Sequence, residues 1–339
     1  MKKTPITKKS PILVVGFGSI GQRHYRNLCS LGYTNVSVYD TDQAKLVALG
    51  DKAVRTLSEK ILTDFSVVFV CNPSHLHVKT ALMAVKAGCH VFIEKPLAVS
   101  KTDLSLLERA AREKGVTAMV ACNYRFHEAY LKLKGWITKA TRGKPLVAEL
   151  AMGHDLKLSR SGVDYRRTYA AKRSQGGGVI FDSGPHAVDY LMGLFGTPRR
   201  VNALKGDVSS LQLATEDYAS IEMEFKSGLR AHLFLDYFSV PKRNFIEVHS
   251  EHGSARSDFA GLEFIERGKE KADISHIPLY KNKERTEAVN ASYLAELKYF
   301  FDVVSGKQPP VSDLTHAKKV TEILFAIEHS AKTLTSITV

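Results

Sequence analysis

Ile12-Leu13-Val14-Val15-Gly16-Phe17-Gly18-Ser19-Ile20-Gly21 joins an apolar run to a Gly-x-Gly-x-x-Gly turn. Four consecutive apolar residues read as a strand buried on both faces. The glycines stand where that strand hands over to a helix. Gly16 permits the tight turn, Gly18 lets backbone approach a pyrophosphate, and Gly21 lets the helix pack close to the sheet. The free amides of Ser19, Ile20 and Gly21 at the helix start then face the phosphates. Asp40 ends the next apolar run, Val36-Ser37-Val38-Tyr39, 19 residues after Gly21. A carboxylate there accepts hydrogen bonds from both hydroxyls of a ribose and repels an extra phosphate. No arginine directly follows Asp40, and Asp42 adds negative charge. The stretch predicts a dinucleotide site for NAD rather than NADP.

Val67–Val70, His90–Ile93 and Ala118–Ala121 are further apolar runs of the same kind. Leu76–Ala87 and Leu104–Lys114 are the clearest helical patterns between them. Continuous apolar strands separated by helices imply a parallel sheet covered on both faces. After residue 145 the period changes. Ala219, Ile221, Met223 and Phe225 alternate with polar or smaller residues, as do Ala231, Leu233 and Leu235. Period-two alternation means antiparallel strands buried on one side, and Lys226-Ser227-Gly228 is the hairpin turn between them. Phe245–His249 and Ala255–Phe259 extend the sheet, and helices over Ser292–Ser305 and Asp313–Leu334 close the chain. The expected fold class is α/β. A Rossmann parallel-sheet domain (11–125) follows a loose basic tail (1–10) and precedes an α+β domain (126–339) with a large open, mainly antiparallel sheet.

Composition narrows the function classes. Apolar residues make up 44% and charged residues 24% of the 339, as in a soluble globular protein of about two domains. No apolar run reaches the roughly 18–20 residues of a membrane span, nor the ~7–15 of a signal peptide core. Cys29, Cys71, Cys89 and Cys122 lack Cys-x-x-Cys spacing, so neither a disulfide framework nor a zinc site is expected. A cytoplasmic protein without metal fits. The net charge of +13 is uneven: Lys2, Lys3, Lys8 and Lys9 load the tail, and Lys157, Arg160, Arg166, Arg167, Lys172 and Arg173 load one segment. That segment reads either as a solvated basic surface or as a site for an anionic small molecule. Direct nucleic-acid binding is not expected, because no helix-turn-helix segment accompanies the charge.

Asn72-Pro73-Ser74-His75-Leu76-His77, Glu94-Lys95-Pro96, Asn123-Tyr124-Arg125-Phe126 and Gly176-Gly177-Gly178-Val179-Ile180-Phe181-Asp182-Ser183-Gly184-Pro185-His186 occur in that order. Together they resemble the Gfo/Idh/MocA oxidoreductases, from about residue 12 to the C-terminus. The resemblance implies that Asn72, Pro73, His77, Glu94 and Lys95 face the cofactor with the glycine turn. It also implies that Lys95 hydrogen-bonds the reacting hydroxyl. Lys95 directly follows a strand end, where open α/β sheets bind ligands, and Pro96 holds it extended. Pro185 suits the first position of a helix capped by Ser183 or Gly184, which puts His186 in its first turn. The helix dipole there disfavours imidazolium, and a neutral ring is what a general base needs. His186 is then the acid/base and Asp182 its partner, or the order is reversed and Lys95 carries the proton. Asp189, one turn on, reads as a helix-surface acid. Asn123 and Arg125, after the fifth strand, are substrate contacts or, for Arg125, an ion-pair partner. Tyr165, Arg166 and Arg167 combine an aromatic platform with cations, which suits a diphosphate or carboxylate.

These features imply an NAD(P)-dependent dehydrogenase that moves a hydride between nicotinamide and a secondary alcohol of a sugar-like substrate. A nucleotide sugar or sugar acid fits the basic segment. Some similar proteins are redox-neutral glycosidases or ligand-sensing regulators; Lys95, Asp182 and His186 together argue for chemistry. An open sheet also needs its outer face covered, so a homodimer or homotetramer is expected.

Overall fold

The computed structural model describes residues 5–100, 104–159, 162, 164–267, 272–278 and 285–339. Lys2, Lys3 and Arg160, counted above among the basic residues, lie outside them. Two compact units emerge: Met1–Cys122 with Tyr293–Lys319, and Asn123–Ser292 with Val320–Val339.

The first unit holds a six-stranded sheet. Its strands are β1 (Ile12–Val15), β2 (Val36–Tyr39), β3 (Ala53–Val54), β4 (Val67–Val70), β5 (His90–Ile93) and β6 (Ala118–Val120). The order is β3-β2-β1-β4-β5-β6, and every pairing is parallel. Helices α1 (Ser19–Ser30), α2 (Glu59–Leu62), α3 (His77–Lys86) and α4 (Leu104–Lys114) connect them. The strand order reverses between β1 and β4, so the carboxyl ends of these two strands form the switch point where such sheets bind ligands. Alternate side chains go to opposite faces. Leu13, Val15, Val68, Val70, Val91 and Ile93 meet Ala81, Ala84, Val85 and Leu107 from α3 and α4. The other face is aromatic: Phe69 and Phe92 lie 5.8 and 5.3 Å from Phe300, and Tyr33 stacks on Phe301 at 4.3 Å.

Those phenylalanines revise the linear division. Residues Tyr293–Lys319 were expected with the C-terminal domain, yet they belong to the first unit, because Phe300 and Phe301 complete its aromatic face. The N-terminal tail is also less loose than expected. Lys8 O accepts the Thr34 N–H at 3.0 Å, and the Lys8 ammonium sits 3.8 Å from the Tyr33 ring centroid.

The second unit begins with α5 (Glu128–Ile137), a helix not foreseen from the sequence, and β7 (Pro145–Gly153). Helices α6 (Leu156–Ser159), α7 (Val179–Asp182) and α8 (Gly184–Phe195) follow. Next come β8 (Pro198–Gly206), β9 (Tyr218–Phe225), β10 (Arg230–Asp236), β11 (Arg243–Ser250), β12 (Gly253–Ser257), β13 (Gly261–Arg267) and β14 (Ala272–Pro278). Helices α9 (Arg285–Val304) and α10 (Leu314–Thr333) and strand β15 (Ile337–Thr338) end the chain. The nine strands run β14-β13-β12-β11-β7-β10-β9-β8-β15. Only β7 and β10 pair in parallel; the remaining pairs are antiparallel. The predicted hairpin is there: Glu224 pairs with Arg230, and Ile221, Met223, Leu233 and Leu235 are buried.

Candidate active site

Gly16 has φ +99°, and a Cβ there would lie 2.5 Å from Asn72 N. A Cβ on Gly21 would collide with the Gly16 carbonyl oxygen, while nothing described lies within 4 Å of one on Gly18. The turn is therefore pressed against the end of β4 and open above Gly18. Gln22 N–H is the first to bond within α1, to Gly18 O. The amides of Ser19, Ile20 and Gly21 ahead of it are left for an anion, and no acidic residue stands in that turn.

Asp40 Oδ2 accepts the Phe17 N–H at 2.6 Å, and Oδ1 accepts the Asp42 N–H at 2.8 Å. The carboxylate thus anchors the glycine turn. With about four acceptor sites on its two oxygens, it keeps capacity for ribose hydroxyls. Lys45 Nζ stands 3.5 Å from Asp40 Oδ1, a nearby cation although no arginine directly follows Asp40 in sequence. Asn72 Nδ2 donates to Thr80 Oγ1 at 2.8 Å, whereas its buried Oδ1 has no hydrogen-bond partner among the described residues. That acceptor waits at the carboxyl end of β4. The amide-lined turn, the open space above Gly18 and the orphaned Asn72 oxygen all fit a bound dinucleotide.

Pro73 precedes a short 3-10 turn, Ser74–Leu76, that leads into α3. His77 is buried with Nδ1 2.8 Å from Pro96 O and Nε2 2.8 Å from Asn72 O. Burial pulls this imidazole toward its neutral form, against the two carbonyls and Glu94, which favour the cation. His77 thus braces the cofactor loops from beneath. Glu94, expected against the cofactor, is also buried. Its Oε1 lies 2.7 Å from His24 Nε2, and its Oε2 accepts the Lys95 N–H at 3.2 Å. Lys95 itself is half-buried.

In the second unit, Asp182 ends α7 and His186 stands in the first turn of α8. Pro185 is at the helix start as expected, but Ser183 makes no side-chain cap. The Asp182 carboxylate is held by two residues that the sequence did not single out. Tyr169 Oη donates to Oδ1 at 2.5 Å, and Tyr237 Oη donates to Oδ2 at 3.0 Å. Burial, reinforced by Asp182, keeps the Tyr237 hydroxyl protonated well above the usual phenol range. Tyr237 directly follows β10, at the carboxyl end of the parallel β7–β10 pair, a pairing that the sequence does not announce. The His186 ring packs edge-on against Tyr124, centroids 4.9 Å apart.

Arg125 takes the second of its two expected roles, and the Asp189 assignment changes. Arg125 grips Asp189 with two bonds of 2.8 and 2.9 Å and adds a third to its carbonyl, both side chains largely buried. It is an ion-pair partner that ties the start of this unit to α8, and Asp189 is no surface acid. Asn123 Nδ2 donates to Ser292 Oγ at 3.2 Å and is likewise buried. In the basic segment, Arg173 faces Glu216 and Glu328, at 3.6 and 3.8 Å. Arg166 pairs with Asp164 at 3.3 Å but is exposed, as is Arg167. Tyr165 donates to Leu211 O at 3.1 Å, with Lys157 and Arg166 over its ring. Among the described residues no cluster of His, Cys, Asp and Glu could hold a metal ion, and no helix is long and apolar enough to cross a membrane.

Residues 11–122 match the model of the Gfo/Idh/MocA oxidoreductase family with its NAD-binding Rossmann fold, and residues 130–256 match the C-terminal domain model of the same family. The D-glucoside 3-dehydrogenase of Escherichia coli (strain K12) is 26% identical over 90% of this chain and 84% of its own length. The myo-inositol 2-dehydrogenase of Thermotoga maritima is 27% identical over 88% of this chain and 90% of its own. The crystal structure of the WlbA dehydrogenase from Bordetella pertussis, in complex with NADH and UDP-GlcNAcA, superposes with a TM-score of 0.79 at 19% identity, covering 98% of this chain and 99% of that one. This last likeness shows the fold. With both domain models matched in order, the chain belongs to the Gfo/Idh/MocA family and is an NAD-binding oxidoreductase.

Proposed function

We propose that the protein oxidises a secondary alcohol of a sugar-like substrate, or catalyses the reverse reduction, with Lys95, His186 and Asp182 as its catalytic groups. The observation that carries this reading is the Asp182 carboxylate, fixed by Tyr169 and Tyr237 four residues before His186 at a helix start. Two neutral donors hold that carboxylate oriented, ready to meet a substrate hydroxyl or to steer the histidine. His186 removes the hydroxyl proton, aided by the helix dipole that disfavours its cation. The Lys95 ammonium offsets charge that develops on the oxygen. NAD, when bound, supplies the hydride acceptor. On this chain the amides of Ser19, Ile20 and Gly21 would hold its pyrophosphate and Asp40 its ribose.

The substrate class follows from the cations. Exposed Arg166 and Arg167 beside Tyr165 suit a diphosphate or carboxylate, so a nucleotide sugar or sugar acid is favoured over a neutral polyol. The glucoside and inositol dehydrogenases among the relatives support ring alcohols, and the UDP-GlcNAcA in the Bordetella complex supports an anionic one. We place the protein in the cytoplasm, where four free thiols stay reduced. We also propose a homodimer or homotetramer that covers Tyr218, Phe234 and Phe245, which are half-buried in the single chain. A panel of free sugars, inositols, sugar acids and nucleotide sugars, tested with NAD and NADP and read by product mass spectrometry, decides the substrate. Cleaved glycosides without net reduction would replace this reading with a redox-neutral one. Unchanged affinity for every anionic substrate in the Arg166→Ala, Arg167→Ala double variant would remove the anionic assignment.

A further inference from the structure

Two buried histidines bear on the turn that carries Lys95. From α1, His24 sets Nε2 2.7 Å from Glu94 Oε1, with no exposed surface of its own. Its ring lies among Phe69, Phe92 and Tyr293, with centroids 5.6, 5.3 and 6.0 Å away. Glu94 Oε2 in turn accepts the Lys95 N–H at 3.2 Å. From the other side, His77 touches the carbonyl of Pro96 and that of Asn72, each at 2.8 Å. The residue before Lys95 is thus bound to α1, the helix that opens on the glycine turn. The residue after it is bound to the loop after β4.

A carboxylate such as Glu94 is costly to bury unless it is paired. Glu94 and His24 form such a pair 70 residues apart in sequence, and neither is needed for the lysine's own chemistry. We propose that His24 and His77 are positioning residues for Lys95, clamping its turn to the two cofactor loops, His24 through Glu94 and His77 through Pro96. The proposal rests on the reading of Lys95 as a catalytic group. A clamp of this kind acts on geometry: displacing a catalytic group by about 1 Å lowers a rate by about 100-fold.

The test uses the full chain with His24→Phe, His24→Gln, His77→Phe and Glu94→Gln. Turnover is measured on whichever alcohol the unaltered protein oxidises. NAD affinity is measured by calorimetry. The surroundings of Lys95 are read from the NMR signal of its ¹³C-dimethylated amine, assigned by its loss in Lys95→Arg. His24→Phe and His77→Phe are expected to lower kcat about 10- to 100-fold and to shift the Lys95 signal, with KM and NAD affinity within about threefold. His24→Gln, which keeps an N–H for Glu94, is expected to restore most of the rate. An unmoved Lys95 signal with unaltered kcat overturns the proposal, as does a loss of NAD affinity equal to the loss of rate. If His24→Phe does not fold, Glu94→Gln gives the same readouts with side-chain volume kept. If no alcohol is oxidised, the functional reading fails, and the Lys95 signal alone decides the clamp.

Discussion

Asp40 both holds the glycine turn and faces the site expected to take ribose. Its carboxylate accepts one hydrogen bond each from the Phe17 and Asp42 N–H groups, and Lys45 stands beside it. Asp40→Ser is therefore expected to lower kcat/KM with NAD by about 10- to 100-fold and to raise it with NADP, since the repulsion goes and Lys45 remains to meet a phosphate. Steady-state kinetics with both cofactors checks this; an unchanged cofactor ratio contradicts it. Tyr237 carries the second residue-scale prediction. Tyr237→Phe removes a donor from a buried carboxylate and keeps the ring, so kcat is expected to fall about tenfold, with the thermal midpoint lowered modestly. The conformation of the glycine turn was legible because it is decided by neighbours along the chain. Tyr169 and Tyr237 were not: they lie 13 and 55 residues from the carboxylate that they hold. Arg125 shows the same limit, since its choice between substrate and Asp189 is made 64 residues away.

Among elements, periodicity announced the strands and the terminal helices but not their partners. The repeat over Ser292–Ser305 indicates an amphipathic helix; only the aromatic face of β4 and β5 shows which sheet it covers. Phe300→Ala opens a cavity in that face and is expected to destabilise the first unit by about 3–5 kcal/mol, measured by chemical denaturation. The loop that leads to Asp182 is braced differently. Glu216 is nearly buried, bonds the Ile180 N–H at 3.4 Å and faces Lys205 at 3.6 Å. Burial raises its pKa more than Lys205 lowers it. A carboxyl that holds its proton more tightly when folded stabilises fully below its unfolded pKa. That contribution is lost as pH rises through the folded value. Glu216→Gln mimics the protonated form, so its thermal midpoint is expected to gain on the unaltered protein from pH 4 to pH 8. A difference that stays constant over that range would contradict the role of burial.

For the whole molecule, both family models match in order, and the parallel sheet and the mainly antiparallel sheet follow them. The parallel β7–β10 pair inside the second sheet was beyond periodicity, because alternation fixes a face and not a strand direction. We propose that this chain oxidises an alcohol with NAD and that the reaction requires Lys95. The most direct test follows reduced nicotinamide by absorbance during turnover of the sugar panel, with Lys95→Ala alongside. Reduction of NAD by the unaltered protein, lowered about 100-fold or more in the variant, is the predicted result. Equal rates in the two proteins, or tightly bound NAD that no member of the panel reduces, would contradict it.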